Sequence, residues 1–184
     1  MKTITQLTGA ALICMALCAQ AEEFSVSSPN LKSGGTLPIA HVLNGFGCTG
    51  GNISPALSWQ NAPAGTQSIA ITVYDPDAPT GSGWWHWVAY NIPPTVQSLA
   101  EGAGTATGQQ LPAGTAQGKT DFGTFGYGGA CPPAGDKAHR YIFTVHALKT
   151  PKIDVPPDAS AAMIGFMIHM SKLGSTSLEV TYAR

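Results

Sequence analysis

The chain has 184 residues, which suits one domain with a hydrophobic core of useful size. Only 10% of the residues are charged, and nine Lys and Arg stand against ten Asp and Glu, for a net charge of −1 at pH 7. Because no run of basic residues occurs in the sequence, nucleic acid and anionic membrane surfaces are poor candidate partners.

The first 21 residues predict a secretory signal peptide. Lys2 is the only charged residue before Glu22, an apolar stretch covers residues 7–19, and Ala-Gln-Ala at residues 19–21 fits a small-x-small cleavage site. The apolar stretch is too short to span a bilayer comfortably, so a retained membrane anchor is the weaker alternative. We therefore expect one domain over residues 22–184, without an integral membrane segment, in the periplasm or secreted.

Cleavage at that point would leave two cysteines, Cys48 and Cys131. Two cysteines in an exported protein favour a single disulfide. Two free buried thiols are the alternative. A metal pair is disfavoured because neither cysteine has a second cysteine or a histidine at ligand spacing.

Short strands joined by turns dominate the rest of the chain, which holds many of the 22 glycines and 14 prolines. Runs rich in β-branched and aromatic residues predict strands over residues 24–26, 69–74, 87–92, 141–148 and 178–182. Exposed strand edges in such a fold could pair, so a homodimer is one possible assembly.

The first chemically rich segment follows the strand that ends at Tyr74. Proline at position 76 makes the Asp-Pro-Asp turn rigid, and we expect Asp77 to form the turn and Asp75 to line a site. His86 begins the next strand between two tryptophans. Strand alternation predicts that His86 faces one side of the sheet and that Trp85 and Trp87 face the other.

The second rich segment lies about fifty residues further on. Here His139 precedes a strand, and Tyr141, two residues later, points to the same side. Alternation turns Arg140 away from both. The glycine-rich stretches over residues 128–131 and 135–136 could offer exposed backbone amides.

One segment near the end of the chain predicts a helix, with Asp158 as its N-cap and Gly174 as its stop. Apolar residues recur at helical spacing between them, at Ala162, Met163, Phe166, Met167 and Met170. Because methionine commonly fills irregular gaps in cores, we expect this stripe to pack inside the protein. The elements together predict a mostly β protein, a β-sandwich.

The two rich segments predict a small anion-binding pocket. Imidazoles, a phenol and exposed amides supply the donors that phosphate and carboxylate require, and indoles can wall the pocket. Asp75 would orient a histidine and raise its pKa, which favours the charged, anion-binding form. We expect a small phosphorylated or anionic ligand, no cofactor and no resident metal.

Two other kinds of site can be built from the same residues. An enzyme could use Asp75 and His86 as an acid–base pair, and Ser54 or Ser82 is available as a nucleophile, although no Gly-x-Ser-x-Gly elbow occurs. A facial triad of His86, His139 and an aspartate could hold a metal, but no short His-x-His or His-x-x-x-His pair supports it.

In order and spacing, this chain resembles the phosphatidylethanolamine-binding protein family, whose members are also described as Raf kinase inhibitor-like proteins. The resemblance covers essentially all of residues 22–184 and looks closest to the exported bacterial branch. The stretches that carry it are Ser54–Trp59, Asp75–Pro79, Trp84–Trp87, Asn91–Pro93, Gly129–Pro133 and His139–Tyr141.

The resemblance implies a β-sandwich with a few peripheral helices and an anion pocket at one end. The pocket residues of the family match Asp75, His86, His139 and Tyr141, with Trp84 beside them. Cys131 stands where eukaryotic members commonly carry glycine, so a bridge to Cys48 would brace the pocket rim. The implied function is a non-enzymatic binding protein, or a modulator such as a protease inhibitor that acts through a surface away from the pocket. Kinase inhibition is not implied for an exported protein.

Overall fold

A computed structural model describes residues 22–184; the predicted signal peptide lies outside the described residues. The described part contains ten strands, one α-helix and one 3₁₀ turn. Their bounds are β1 Ser25–Ser27, the 3₁₀ turn Ile39–His41, β2 Asn44–Gly45, β3 Cys48–Thr49, β4 Leu57–Gln60, β5 Ser68–Asp75, β6 Trp84–Ile92, β7 Ser98–Leu99, β8 Ala116–Gln117, β9 His139–Leu148, α1 Ala161–Ser171 and β10 Lys172–Tyr182.

The strands form a five-stranded sheet, a three-stranded sheet and a small hairpin. The order in the large sheet is β10-β9-β5-β6-β8, the order in the small sheet is β1-β4-β7, and β2 pairs with β3. The named strands pair in antiparallel fashion. The mostly β fold is therefore confirmed, and each of the five predicted strands is present with somewhat different bounds.

Strand β5 is the centre of the large sheet and is covered on both faces. Its sequence, Ser-Ile-Ala-Ile-Thr-Val-Tyr-Asp, is apolar over most of its length rather than alternating, as expected for a strand buried on both sides. One face contributes to an inner core with Trp87 and Phe143. The other face contributes Ala70 to an outer cluster that α1 covers through Ile164 and Ile168.

Helix α1 is shorter than predicted. Its N-cap is Ser160, whose side chain accepts a hydrogen bond from the Met163 backbone amide, so the assignment of Asp158 as the cap is wrong. The helix ends at Ser171 and β10 begins at the next residue. Gly174 therefore does not stop the helix; it pairs with Ala147 inside the sheet.

The methionine stripe faces solvent rather than the core. Met163, Phe166 and Met170 are 45%, 61% and 56% exposed, whereas Ile164 and Ile168 are buried. The expectation of core packing is wrong for these three residues because the helix is apolar on nearly every side, so periodicity alone could not select the buried face. The two isoleucines, one turn apart, pack against the sheet.

A β-bulge changes the orientation of side chains at the start of β6. Val73 pairs with Trp87 and Tyr74 pairs with Trp85, which leaves His86 as the extra residue. Trp85 packs on the outer cluster, but Trp87 belongs to the inner core. The prediction that both tryptophans face away from His86 is therefore wrong for Trp87, because the bulge interrupts the alternation.

Candidate functional site

All five residues predicted to line the site meet at one cavity of about 370 Å³. They reach it because β5 ends where β6 and β9 begin. Asp75, the last residue of β5, pairs with Trp84, the first residue of β6, and β9 starts on the other side of β5. The lining includes Asp75, Trp84, His86, His139 and Tyr141.

The carboxylate of Asp75 anchors both the turn and the site. Its Oδ1 accepts hydrogen bonds from the backbone amides of Asp77 (2.8 Å) and Ala78 (3.1 Å). Its Oδ2 lies 2.8 Å from Nδ1 of His139, and both side chains are buried. Since a carboxylate only accepts, that nitrogen carries the proton and donates it. The expectation that Asp77 rather than Asp75 forms the turn is therefore wrong.

Asp77 instead braces the outside of the turn. Its two carboxylate oxygens accept from Nε and Nη2 of Arg140, each at 2.8 Å. This bidentate pair holds the pKa of Asp77 well below its usual range. Arg140 points away from the cavity, as alternation predicted, and ties the turn after β5 to the first residues of β9.

His86 is buried beside Tyr141 and Phe122, with ring centroids 5.1 Å and 5.3 Å away in edge-on geometry. Its Nδ1 lies 2.8 Å from the carbonyl oxygen of Gly128, to which it donates, and Nε2 is left as the second polar atom of the ring. Burial lowers the pKa of His86, against a smaller raising effect of the Gly128 hydrogen bond. Desolvation outweighs the raising effect of the Asp75 carboxylate on the pKa of His86, and the histidine that Asp75 orients is His139. Asp75 therefore makes no hydrogen bond to His86, as an acid–base pair of these two residues would require.

Two buried hydrogen-bond donors of cavity-lining residues have no partner in the described part of the chain. The hydroxyl of Tyr141, a residue that is 2% exposed, is one, and the indole N–H of Trp84 is the other. Burial raises the pKa of Tyr141, so its hydroxyl keeps its proton and remains a donor. Buried polar groups are normally satisfied, so two unsatisfied donors at one cavity call for an explanation.

The three glycine amides of the glycine-rich stretches are not free, contrary to the expectation from the sequence. The amide of Gly128 donates to the His86 carbonyl (2.9 Å), and that of Gly129 donates to the Asn52 side chain (2.8 Å). The amide of Gly135 donates to the carbonyl of Arg184 (3.0 Å). These amides fix the loop against its neighbours and are therefore not free to bind an anion.

The cavity rim is closed by a disulfide between Cys48 and Cys131, as the cysteine count favoured, with the two Cα atoms 6.0 Å apart. The bond joins the β2–β3 hairpin to the loop before β9. Phe46, at the hairpin tip, is 75% exposed and has a φ of 50°, a conformation that bulky residues rarely adopt.

Three lining residues come from outside the two chemically rich segments: Phe46, Phe122 and Arg184. Phe122 packs edge-on against Trp84 (5.4 Å) and lies 5.9 Å from Phe46, so it forms an aromatic wall. Phe46 and Arg184 are far in sequence from the two rich segments, whereas Phe122 lies six residues before Gly128. The glycines that flank Phe46 are typical of a turn and do not indicate a site.

No group of three or more His, Cys, Asp or Glu between residues 22 and 184 is arranged to hold a metal ion, so the facial triad is not assembled there. Over the same range, no helix combines the length and the apolar character needed to cross a membrane.

Comparison with known proteins gives a consistent result. A family model described as phosphatidylethanolamine-binding protein matches residues 27–183. The protein YbcL of Escherichia coli is 51% identical over 99% of this chain and 98% of its own length. The crystal structure of E. coli YbcL, described as a new member of the mammalian PEBP family, is 52% identical, has a TM-score of 0.87, and covers 89% of this chain and 99% of that one. YbhB of the same organism is 51% identical over 85% of this chain and 98% of its own length. A crystal structure of CT736 from Chlamydia trachomatis is 28% identical, with a TM-score of 0.72, and covers 88% of this chain and 97% of that one.

Proposed function

The chain belongs to the phosphatidylethanolamine-binding protein family, and from that membership we propose that it is a non-enzymatic, exported binding protein that holds a small phosphorylated or otherwise anionic ligand in the cavity. A volume of about 370 Å³ lies within the range of small-molecule sites and suits a ligand of headgroup size.

The observation that carries this proposal is the pair of unpartnered donors, the Tyr141 hydroxyl and the Trp84 indole N–H. Both belong to residues that line the cavity; the indole N–H can only donate, and the hydroxyl has a proton to donate to a ligand oxygen. Leaving them unsatisfied costs free energy, which a ligand oxygen that accepts from either would recover. Oxyanions such as phosphate and carboxylate supply several acceptor oxygens at once.

A hydrolase is the second candidate, because the buried Asp75–His139 hydrogen bond resembles a base held by a carboxylate. The described lining residues include no serine and no free thiol: Thr80 donates its hydroxyl to the Gly83 carbonyl at 2.6 Å, and Cys131 is in the disulfide. We expect no turnover of p-nitrophenyl phosphate. Steady release of nitrophenol with a bell-shaped pH profile, lost in His139→Ala, would favour the enzyme instead.

Isothermal titration of residues 22–184 with inorganic phosphate and phosphoethanolamine tests the binding proposal. Trp84→Phe removes the unpartnered donor and keeps an aromatic ring, so we expect about tenfold weaker binding. The matched control is Trp87→Phe, since the Trp87 N–H is satisfied by Gln117 (2.7 Å) and that side chain lies in the core outside the cavity. Equal affinity of both variants and the parent would contradict the assigned role of Trp84, and a folded parent that binds neither anion would contradict the function.

Export is the part of the proposal that rests on the sequence, namely the apolar stretch of residues 7–19 and the Ala-Gln-Ala site. A disulfide also fits an oxidising compartment. Expression of the full chain in a bacterium, followed by fractionation and intact-mass measurement, should give a periplasmic or secreted product that begins at Glu22. A cytoplasmic product that retains Met1 would contradict export.

A further inference from the structure

Arg184 reaches the cavity from the segment that follows β10, and its guanidinium spans the rim. Nε donates to the carbonyl of Pro132 at 2.6 Å, and Nη2 lies 3.3 Å from the carbonyl of Phe46. These two carbonyls belong to the two segments that the disulfide joins. The planar guanidinium is thereby held in one orientation at the cavity mouth.

The guanidinium has donor capacity left over. Arginine has five N–H donors, and the two contacts to carbonyls use only Nε and one terminal nitrogen. Nη1 makes no hydrogen bond to any residue between 22 and 184, although Arg184 lines the cavity. A further acceptor, such as an oxygen of a bound ligand, can therefore be accommodated there.

Arg184 is also the cavity's fixed positive charge. Among the described lining residues it is the only Lys or Arg, and Asp75 is the only carboxylate. The charge of Asp75 is directed to the ring of His139 and to two backbone amides. Arg140, the other arginine near the site, is committed to Asp77 outside the cavity.

His86 does not supply a positive charge in place of Arg184. His86 donates from Nδ1 to the Gly128 carbonyl, and burial disfavours its protonated form. In the neutral ring the remaining nitrogen, Nε2, is an acceptor and cannot donate to an oxyanion. His86 is therefore not the source of positive charge for an anion at neutral pH, whereas the guanidinium of Arg184 is always charged.

We propose that Arg184 is a ligand-binding residue that supplies the cavity's permanent positive charge and one edge of its guanidinium to an oxyanion. The inference rests on the proposed function and adds to it: the ligand presents an oxygen-bearing negative charge to Nη1 of Arg184, away from the two carbonyls to which Nε and Nη2 donate, while its other oxygens meet Tyr141 and Trp84.

The test is titration with inorganic phosphate at low and high ionic strength, using the parent, Arg184→Gln, Arg184→Lys and Lys152→Gln. We expect Arg184→Gln to bind about tenfold more weakly, with a shallower dependence on salt. Arg184→Lys keeps the charge without the fork, so its affinity should lie between those of the parent and Arg184→Gln. Lys152→Gln is the matched control, because it removes one positive charge from an exposed pair with Asp154 outside the cavity, and it should bind like the parent.

Three outcomes count against the inference, and they can be told apart. If Arg184→Gln binds phosphate as the parent does while Trp84→Phe does not, the binding function stands and the role of Arg184 falls. A second outcome is that both Arg184 variants lose the same affinity for phosphate, keep the salt dependence of the parent and melt at a lower temperature than the parent. In that case Arg184 only stabilises the rim and does not bind the ligand. A folded parent that does not bind phosphate removes the proposed function and this inference with it.

Discussion

Two buried tyrosines provide the sharpest prediction, because each hydroxyl has a different environment. Tyr127 donates its hydroxyl to the backbone carbonyl of His41 at 2.8 Å, within the protein. The hydroxyl of Tyr141 is buried and has no partner in residues 22–184. Replacing either residue by phenylalanine removes a single oxygen atom and leaves the ring.

The two substitutions should change stability in different directions. Tyr127→Phe removes the partner of a buried carbonyl, so we expect the free energy of unfolding to fall by about 1–2 kcal/mol. Tyr141→Phe removes an unsatisfied hydroxyl, so we expect no loss and a gain of up to about 1 kcal/mol without ligand. The difference between the variants, about 2 kcal/mol, is well above the error of urea unfolding.

Ligand should narrow that difference. With phosphate at about one hundred times its dissociation constant, the parent gains about 2.7 kcal/mol. Tyr127→Phe should gain the same amount, whereas Tyr141→Phe should gain less because it has lost a donor to the ligand. Urea unfolding followed by tryptophan fluorescence, with and without phosphate, measures the free energy of unfolding of the parent and of both variants. Equal destabilisation of the two variants without phosphate, or an equal gain with it, would refute the assignment of the Tyr141 hydroxyl to a ligand.

The remaining predictions concern the disulfide, His146 in β9 and helix α1. Reducing the Cys48–Cys131 bond, which closes a loop with a sequence separation of 83, should cost about 4–5 kcal/mol in thermal unfolding; an unchanged midpoint would count against it. Burial lowers the pKa of His146 to about 4, so below pH 6.5 the unfolded chain takes up a proton that the folded one does not. Stability should therefore fall by about 2 kcal/mol from pH 7 to pH 5, and His146→Gln should flatten that slope in urea titrations. Ile164→Ala should lose about 2–4 kcal/mol and Met163→Ala less than about 0.5, and comparable losses would mean that the helix faces were assigned wrongly.

The central strands could be predicted from the sequence because local composition specifies them. Strand β5 is a run of β-branched and aromatic residues that ends at Asp-Pro. Much of β6 and β9 is also rich in β-branched and aromatic residues. The two-residue strands carry no such signal, since they exist through pairing with distant partners. Gly174 shows the same limit: it looked like a helix stop, but pairing with Ala147 placed it in a strand.

Within the site, residue types were predictable and partners were not. Asp75, His86, His139, Tyr141 and Trp84 all line the cavity. The turn-forming role predicted for Asp77 is wrong for a physical and local reason: Pro76 has no N–H, so the amide of Asp77 is the first that Asp75 can bind. Arg184 could not have been found, because only the tertiary fold brings it to the rim.

The disulfide also determines which part of the protein could bear a mechanical load. If residues 22 and 184 were pulled apart, tension would pass from Cys48 directly to Cys131 through the sulfur bridge. Strands β4 to β8 lie between the two cysteines, so they would carry no tension even after their neighbours had been peeled away. About 280 Å of contour length would stay hidden until the bond was reduced. Three of the five predicted cavity residues, Asp75, Trp84 and His86, therefore belong to a covalently closed unit. The other two, His139 and Tyr141, lie outside it, as does Arg184.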